Sequence, residues 1–162
     1  MKHRAYCDSA IGILEIIADD KFILAIDFVK TRKANNHNAL TKRCVVELKK
    51  YFLGKRKSFL VPYKFSGSEF QNKVYTALAK IPYGAVISYG DLAKMIAKPK
   101  AARAVGQAVN KNKIAIIVPC HRVVGSDANL VAYASGLWRK KRLLALENGV
   151  LTNIKNCPKI RS

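Results

Sequence analysis

Cys120 and His121 stand side by side after the apolar run Ile116-Ile117-Val118-Pro119, with Arg122 next in line. A thiol is a soft nucleophile, and thiolate is its attacking form. An imidazole is suited to moving a proton near neutral pH. The neighbouring histidine and arginine make the setting electropositive, which favours thiolate. Ile114 to Val118 reads as a buried strand, because the run is largely β-branched and Pro119 stops it. A strand end is a rigid place to present a reactive group. An isolated Cys-His pair is also what a buried structural cysteine beside a hydrogen-bonded histidine looks like, so the remaining residues must decide.

Two lobes are expected to position this pair. The first, residues 1–67, reads as α/β. Ile11 to Ile17 and Phe22 to Val29 form strands around an Asp19-Asp20-Lys21 turn, and Thr31 to Asn38 is a polar loop. Cys44, Val45, Leu48, Tyr51 and Phe52 recur at helical spacing over Thr41–Leu53, before the helix stop Gly54. The second lobe, residues 68–150, reads as mainly helical. Ser68 and Gln71 form a capping box in front of Phe70, Val74, Leu78 and Ile81, and Ser88 and Asp91 form a second one. Lys98-Pro99 separates that short helix from another over Lys100–Asn110, as in a helix-turn-helix. Gly125 to Asn129 is a loop, Trp138 to Glu147 a last helix, and residues 151–162 a basic tail.

The 162 residues are 50% hydrophobic, enough for a real core. Net charge is +20, which bears on partners rather than fold. From Leu92 to Arg142 there are 11 basic residues and one acid, Asp127, so the charge brackets the cysteine and favours a phosphate-bearing substrate. No apolar run approaches a membrane span. Ile11 to Ile17, interrupted by Glu15, reads as a strand rather than a signal peptide, so a cytoplasmic protein is expected. Cys7, Cys44, Cys120 and Cys157 are widely spaced and expected to be free thiols. His3, Cys7, His37 and Cys44 match no standard metal pattern, so no metal is expected.

Pro119-Cys120-His121-Arg122-Val123 resembles the active-site signature of the O6-alkylguanine-DNA alkyltransferases, the methylated-DNA–protein-cysteine methyltransferases. Ile81-Pro82-Tyr83-Gly84, Ser88-Tyr89-Gly90-Asp91-Leu92-Ala93, Ala101-Ala102-Arg103-Ala104-Val105-Gly106, Asn112, Tyr133-Ala134-Ser135-Gly136-Leu137 and Leu143-Leu144-Ala145-Leu146-Glu147 follow in the family's order. The resemblance is strong over about residues 68–149. Over 1–67 it is weaker and implies a ribonuclease-H-like α/β lobe.

The resemblance implies direct reversal of DNA damage: one irreversible transfer of an alkyl group from guanine O6 to Cys120, without a cofactor. His121 would deprotonate Cys120 through a water, and Glu147 would orient His121. Alone, Glu147 would read as a surface carboxylate at a helix end. Tyr89 matches the tyrosine that donates a proton to the leaving guanine and touches DNA. Arg103 matches a finger that fills the stack when the nucleotide is rotated out. Ala102, Lys100 and Arg122 are the other expected DNA contacts, and small residues around Arg103 would let the helix approach the minor groove. Asn112 would brace the turn before the nucleophile, and Val123, Tyr133, Ser135 and Gly136 would line or support the alkylguanine pocket. The implied partner of this expected monomer is double-stranded DNA carrying O6-alkylguanine, with O4-alkylthymine as a further lesion.

Two departures stand out. Ala115 occupies a position where many relatives have proline, which implies a less rigid Asn112–Val118 segment. Ser135 occupies a frequent glycine position, where a side chain would reshape the pocket wall. Two other readings start from the same residues. A sensor would bind alkylguanine without repairing it, but Cys120 argues against that. A cysteine hydrolase would need an oxyanion hole that the sequence does not identify.

Overall fold

The computed structural model describes residues 1–127 and 129–148, so the basic tail read at 151–162 lies outside the described residues. The chain forms two units. One is Met1–Ser66 together with Lys113–Ile117; the other is Gly67–Asn112 with the described chain from Val118 onward.

In the first unit, β1 (His3–Ser9), β2 (Gly12–Ala18) and β3 (Ile23–Val29) form an antiparallel meander. Ala5 and Cys7 of β1, Leu14, Ile16 and Ala18 of β2, and Ile23 and Ile26 of β3 are buried. So are Cys44, Leu48 and Tyr51 of α1 (Ala39–Phe52), which packs on β1 and β2. The sequence showed no β1, because polar residues dominate this strand and only Ala5 and Cys7 are its buried apolar residues. Its pairing with β2 runs from His3↔Ala18 to Ser9↔Gly12. Asn38 caps α1 reciprocally with Thr41.

Lys113–Ile117 belongs to this first unit, and it corrects the expected strand over Ile114–Val118. Only Ile114 makes a bridge, parallel to Ile26. The Ile26 N–H donates to the Lys113 carbonyl at 2.8 Å, and the Ala115 N–H donates to the Ile26 carbonyl at 3.0 Å. The chain then bends. The Ile117 N–H donates to the Ala115 carbonyl at 2.8 Å across Ile116, whose φ is 70°. This is a γ-turn with a buried β-branched residue in the left-handed region, a strained arrangement held by its surroundings. Ala115 also bears on the expected loss of rigidity, because proline could not donate to Ile26.

The second unit contains α2 (Glu69–Leu78), β4 (Ile87–Ser88), α3 (Tyr89–Met95), α4 (Ala102–Asn110), β5 (Val123–Val124) and α5 (Leu137–Asn148). Ser68 and Gln71 cap α2 as expected. Ser88 accepts the Asp91 N–H and opens α3. The connection from α3 to α4 passes through Ala97, φ 57°, and the Lys98 N–H closes back onto the Ala93 carbonyl at 2.9 Å. Val74, Leu78, Leu92 and Val105 are fully buried across α2, α3 and α4, and the Tyr75 hydroxyl ties α2 to the Ala108 carbonyl of α4 at 3.0 Å. β4 and β5 pair in parallel, and Val86, Val124 and Leu144 form a core cluster beside them.

Glu47 is the buried charge on which the first unit's long connection rests. Its carboxylate accepts the Leu60 N–H at 2.9 Å and the Val61 N–H at 3.4 Å, with Arg43 at 3.4 Å and Arg56 at 3.8 Å. Glu47→Ala orphans two amides and is expected to lower the unfolding free energy by about 2 kcal/mol in a urea titration. An unchanged midpoint would show that the carboxylate does not hold this connection.

Candidate active site

The nucleophile sits on a second tight bend. Pro119 has φ −82° and ψ 65°, and the Cys120 N–H donates to the Val118 carbonyl at 2.8 Å, forming an inverse γ-turn. A single 3-10 turn, Cys120–Arg122, follows and runs into β5. Asn112 braces the bend: its Nδ2 donates to the Val118 carbonyl at 2.8 Å, and its side chain also hydrogen-bonds the thiol.

Cys120 is 7% exposed. Burial pushes its pKa up, against the opposing pull of the Asn112 side chain, the Lys140 charge and the nearby Tyr133 side chain. The resting group is therefore a thiol. This corrects the expectation that the setting favours thiolate, because burial outweighs the groups that would stabilise the charge.

Arg122 was expected to contact DNA. It is instead 6% exposed and fully occupied inside the protein. Its Nε and Nη2 donate to the two carboxylate oxygens of Glu147 at 2.9 and 2.8 Å, its Nη1 donates to the Ile81 carbonyl at 2.6 Å, and its guanidinium lies 5.8 Å from the Tyr83 ring centre. Its charge is spent on Glu147 and is available neither to DNA nor, at full strength, to the thiol.

Glu147 is not the exposed helix-end charge that it would be in isolation. Its side chain is fully buried. Besides Arg122, its Oε1 lies 2.7 Å from His121 Nε2, and its Oε2 accepts the Gly84 N–H at 3.3 Å. Burial alone would raise its pKa; His121 and Arg122 override this and hold the carboxyl well below the usual carboxylate range. His121 is fully buried, which lowers its pKa against the attraction of Glu147, so the ring is neutral near pH 7. With the Nε2 proton on Glu147, Nδ1 carries the lone pair. Nδ1 is buried and has no hydrogen-bond partner among the described residues.

Tyr89 opens α3, with its ring over Gly106 of α4, where an added Cβ would lie 3.6 Å from Cδ1. A side chain at that distance would make an ordinary contact, so Gly106 packs against the Tyr89 ring without being required by it. Burial and the nearby Cys120 raise the Tyr89 pKa, keeping the phenol protonated. Tyr133 and Gly136 form a turn, with the Gly136 N–H on the Tyr133 carbonyl at 3.0 Å and Gly136 at φ 100°. Ser135 lies on that turn, and its carbonyl accepts from Arg139 at 2.9 Å. Val123 is fully buried in β5. Lys100 and Arg103 are exposed and Ala102 is half-buried at the start of α4.

Sequence reasoning missed Lys140, one of four consecutive basic residues, Arg139-Lys140-Lys141-Arg142, in the last helix. Lys140 is fully buried, donates to the Ala132 carbonyl at 2.9 Å and lies 5.8 Å from the Tyr89 ring centre. Burial lowers its pKa to about 8, against the pull of Cys120. The signal was there: Lys140, Leu143, Leu144 and Glu147 recur at i, i+3, i+4 and i+7, the spacing of one helix face. Among the described residues no group of three or more His, Cys, Asp or Glu could hold a metal ion, and no helix is long and apolar enough to cross a membrane.

Comparisons with known proteins fit this geometry. The family model described as the 6-O-methylguanine DNA methyltransferase DNA binding domain matches residues 69–149, and that of the ribonuclease-like domain of the same methyltransferase matches residues 2–65. The chain is 43% identical over 150 residues to a methylated-DNA–protein-cysteine methyltransferase of Methanosarcina acetivorans, covering 88% of this chain and 96% of that one. An inducible enzyme of the same name from Bacillus subtilis is 49% identical over 102 residues, 63% of this chain and 57% of the other. The crystal structure of a Mycobacterium tuberculosis O6-methylguanine methyltransferase superposes with a TM-score of 0.84 at 37% identity, over 92% of this chain and 94% of that one. A structure of the Mycobacterium tuberculosis OGT in complex with DNA also gives 0.84, at 39% identity over 91% and 93%. Both halves of the sequence, and the fold they adopt, place this chain in the 6-O-methylguanine DNA methyltransferase family.

Proposed function

We propose that this protein repairs O6-alkylguanine in double-stranded DNA by moving the alkyl group to Cys120, once per chain and without a cofactor. The observation that carries the proposal is the buried Cys120 thiol beside a neutral His121 whose Nε2 is pinned to Glu147. His121 Nδ1 takes the thiol proton through a water. The sulfur attacks the alkyl carbon, the carbon–O6 bond breaks, and its electron pair stays with guanine. Tyr89, kept protonated by its surroundings, donates to the departing base. In the balance the thiol proton ends on guanine, so no co-reactant is consumed. The product thioether is no leaving group, which makes the reaction a single turnover. Arg103, exposed on α4, is the side chain we assign to the gap left by the rotated nucleotide, with Ala102 and Lys100 beside it on the DNA. Asn112, Val123, Tyr133, Ser135 and Gly136 form and support the pocket. The protein acts as a monomer in the cytoplasm.

The direct test is intact mass and peptide mapping after incubation with O6-methylguanine duplex. One methyl group per chain, on Cys120, is expected. Label on Cys7, Cys44 or Cys157, or hydrolysis with unchanged protein, would sink the proposal.

Glu147 serves two partners, and two substitutions separate them. Glu147→Gln leaves Arg122 buried without a counter-charge. It should cost about 3–5 kcal/mol of stability and slow transfer by about 10² to 10⁴. Adding Arg122→Met should restore stability but not rate. Recovery of both would confine Glu147 to a structural role.

Lys140 supplies a third measurement. It is charged below a pH of about 8 and there offsets the effect of burial on Cys120. Lys140→Met should therefore raise the pH midpoint for alkylation of Cys120 by iodoacetamide and slow repair at pH 7. Identical pH profiles would remove Lys140 from the activation of the thiol.

A further inference from the structure

The reading above puts every DNA contact in the second unit, yet the first unit is itself strongly basic. Residues 1–66 hold 14 Lys and Arg against 6 Asp and Glu. Most of those acids are already engaged. Asp8 pairs with Arg32, Glu15 with Arg4 and Asp20 with His3, while Glu47 is buried.

The excess charge is organised along α1. Lys42, Val46, Lys49, Lys50 and Leu53 recur at i, i+4, i+7, i+8 and i+11, which is one helix face. All are exposed, opposite the buried Thr41, Cys44, Leu48 and Tyr51. The chain then folds back, with the Lys55 N–H on the Lys50 carbonyl at 2.9 Å, which adds an exposed lysine at the end of the helix. Among the described residues none of Lys42, Lys49, Lys50 and Lys55 makes an ion pair. Asp8, whose charge reaches Lys49, already belongs to Arg32. A solvated helix face commonly mixes both signs at i, i+4. Here the acid of the helix, Glu47, is turned inward, and the outer face is of one sign.

We infer that the outer face of α1 is a second DNA-binding surface, which holds the phosphate backbone of DNA flanking the segment under repair. Charge complementarity selects a polyanion. A membrane fits less well. A helix lying on lipid needs a broad apolar face, and that face of α1 is spent on the sheet, leaving only Val46 and Leu53 outward. Flanking DNA is favoured over a separate molecule because a tethered segment reaches the surface at a far higher effective concentration. The inference rests on the DNA-repair reading.

The test uses the full chain with Lys42→Gln, Lys49→Gln, Lys50→Gln and Lys55→Gln combined. Glutamine nearly preserves helix propensity. Binding is measured by fluorescence anisotropy across a salt series, on duplexes of about one and about four helical turns. A control variant, Lys2→Gln, Lys21→Gln, Lys30→Gln and Lys64→Gln, removes the same charge elsewhere in the unit. On the long duplex the log–log salt slope of the first variant should be shallower than wild type by about 2 to 4, and the control should change less. The single-turnover rate at saturating DNA should stay the same, because Cys120 and its partners are untouched. Equal slopes for wild type and variant on the long duplex, with an unchanged melting curve, would overturn the inference. So would an equal loss in the control, or on the short duplex. Loss of binding to phosphatidylserine vesicles with DNA binding intact would assign the face to lipid instead. A wild-type protein that binds no DNA would defeat the repair reading itself, a result distinct from these.

Discussion

A carboxylate with no solvent around it must find its hydrogen bonds inside the protein, and Glu147 finds them in His121, in Arg122 twice and in the Gly84 amide. Those partners come from the turn after α2 and from the 3-10 turn carrying the nucleophile, while Glu147 itself sits on α5, the last helix. Moving Arg122 leaves a buried charge unbalanced, at a cost of several kcal/mol, and moving either of the others leaves a buried carboxylate oxygen short of a hydrogen bond. The ion pair is therefore better understood as a constraint on geometry than as a source of net stability. It fixes α5 against Cys120–Arg122, and it fixes the plane and tautomer of His121.

The resting state of the nucleophile next to this pair is set by burial, with Asn112, Tyr133 and Lys140 pulling the other way. A buried thiol is inert towards oxidants and stray electrophiles. Ionisation then needs the neutral imidazole, and the charge formed on sulfur falls among groups already placed to receive it. Lys140 belongs with these groups, although nothing in its immediate sequence separates it from Arg139, Lys141 and Arg142.

Much of this was legible in the residues. The Ser68–Gln71 box and the face of α1 rest on local rules that tertiary structure left alone. The Cys-His-Glu constellation was legible only through the resemblance, since Cys120 and Glu147 are far apart in sequence. The apolar run before Cys120 misled, because β-branched residues favour strands only where a partner strand exists. Here Ile114 alone finds one, and Ile116 is forced into a γ-turn. β1 stayed hidden because pairing with β2, rather than an apolar pattern, makes it a strand. Arg122 looked like a surface cation because no sequence rule says where a guanidinium will find its carboxylate.

The central claim is that Glu147 holds His121 as a neutral base with its proton on Nε2. Nitrogen-15 NMR of the histidine-labelled protein across pH 5.5 to 8 reads this directly, because protonated and lone-pair ring nitrogens differ widely in chemical shift. The account predicts a neutral His121 near pH 7, with a protonated Nε2 and an unprotonated Nδ1, and a pKa below the ordinary histidine value because the ring is buried. A His121 found as imidazolium at pH 7, or as the tautomer with its proton on Nδ1, would contradict it.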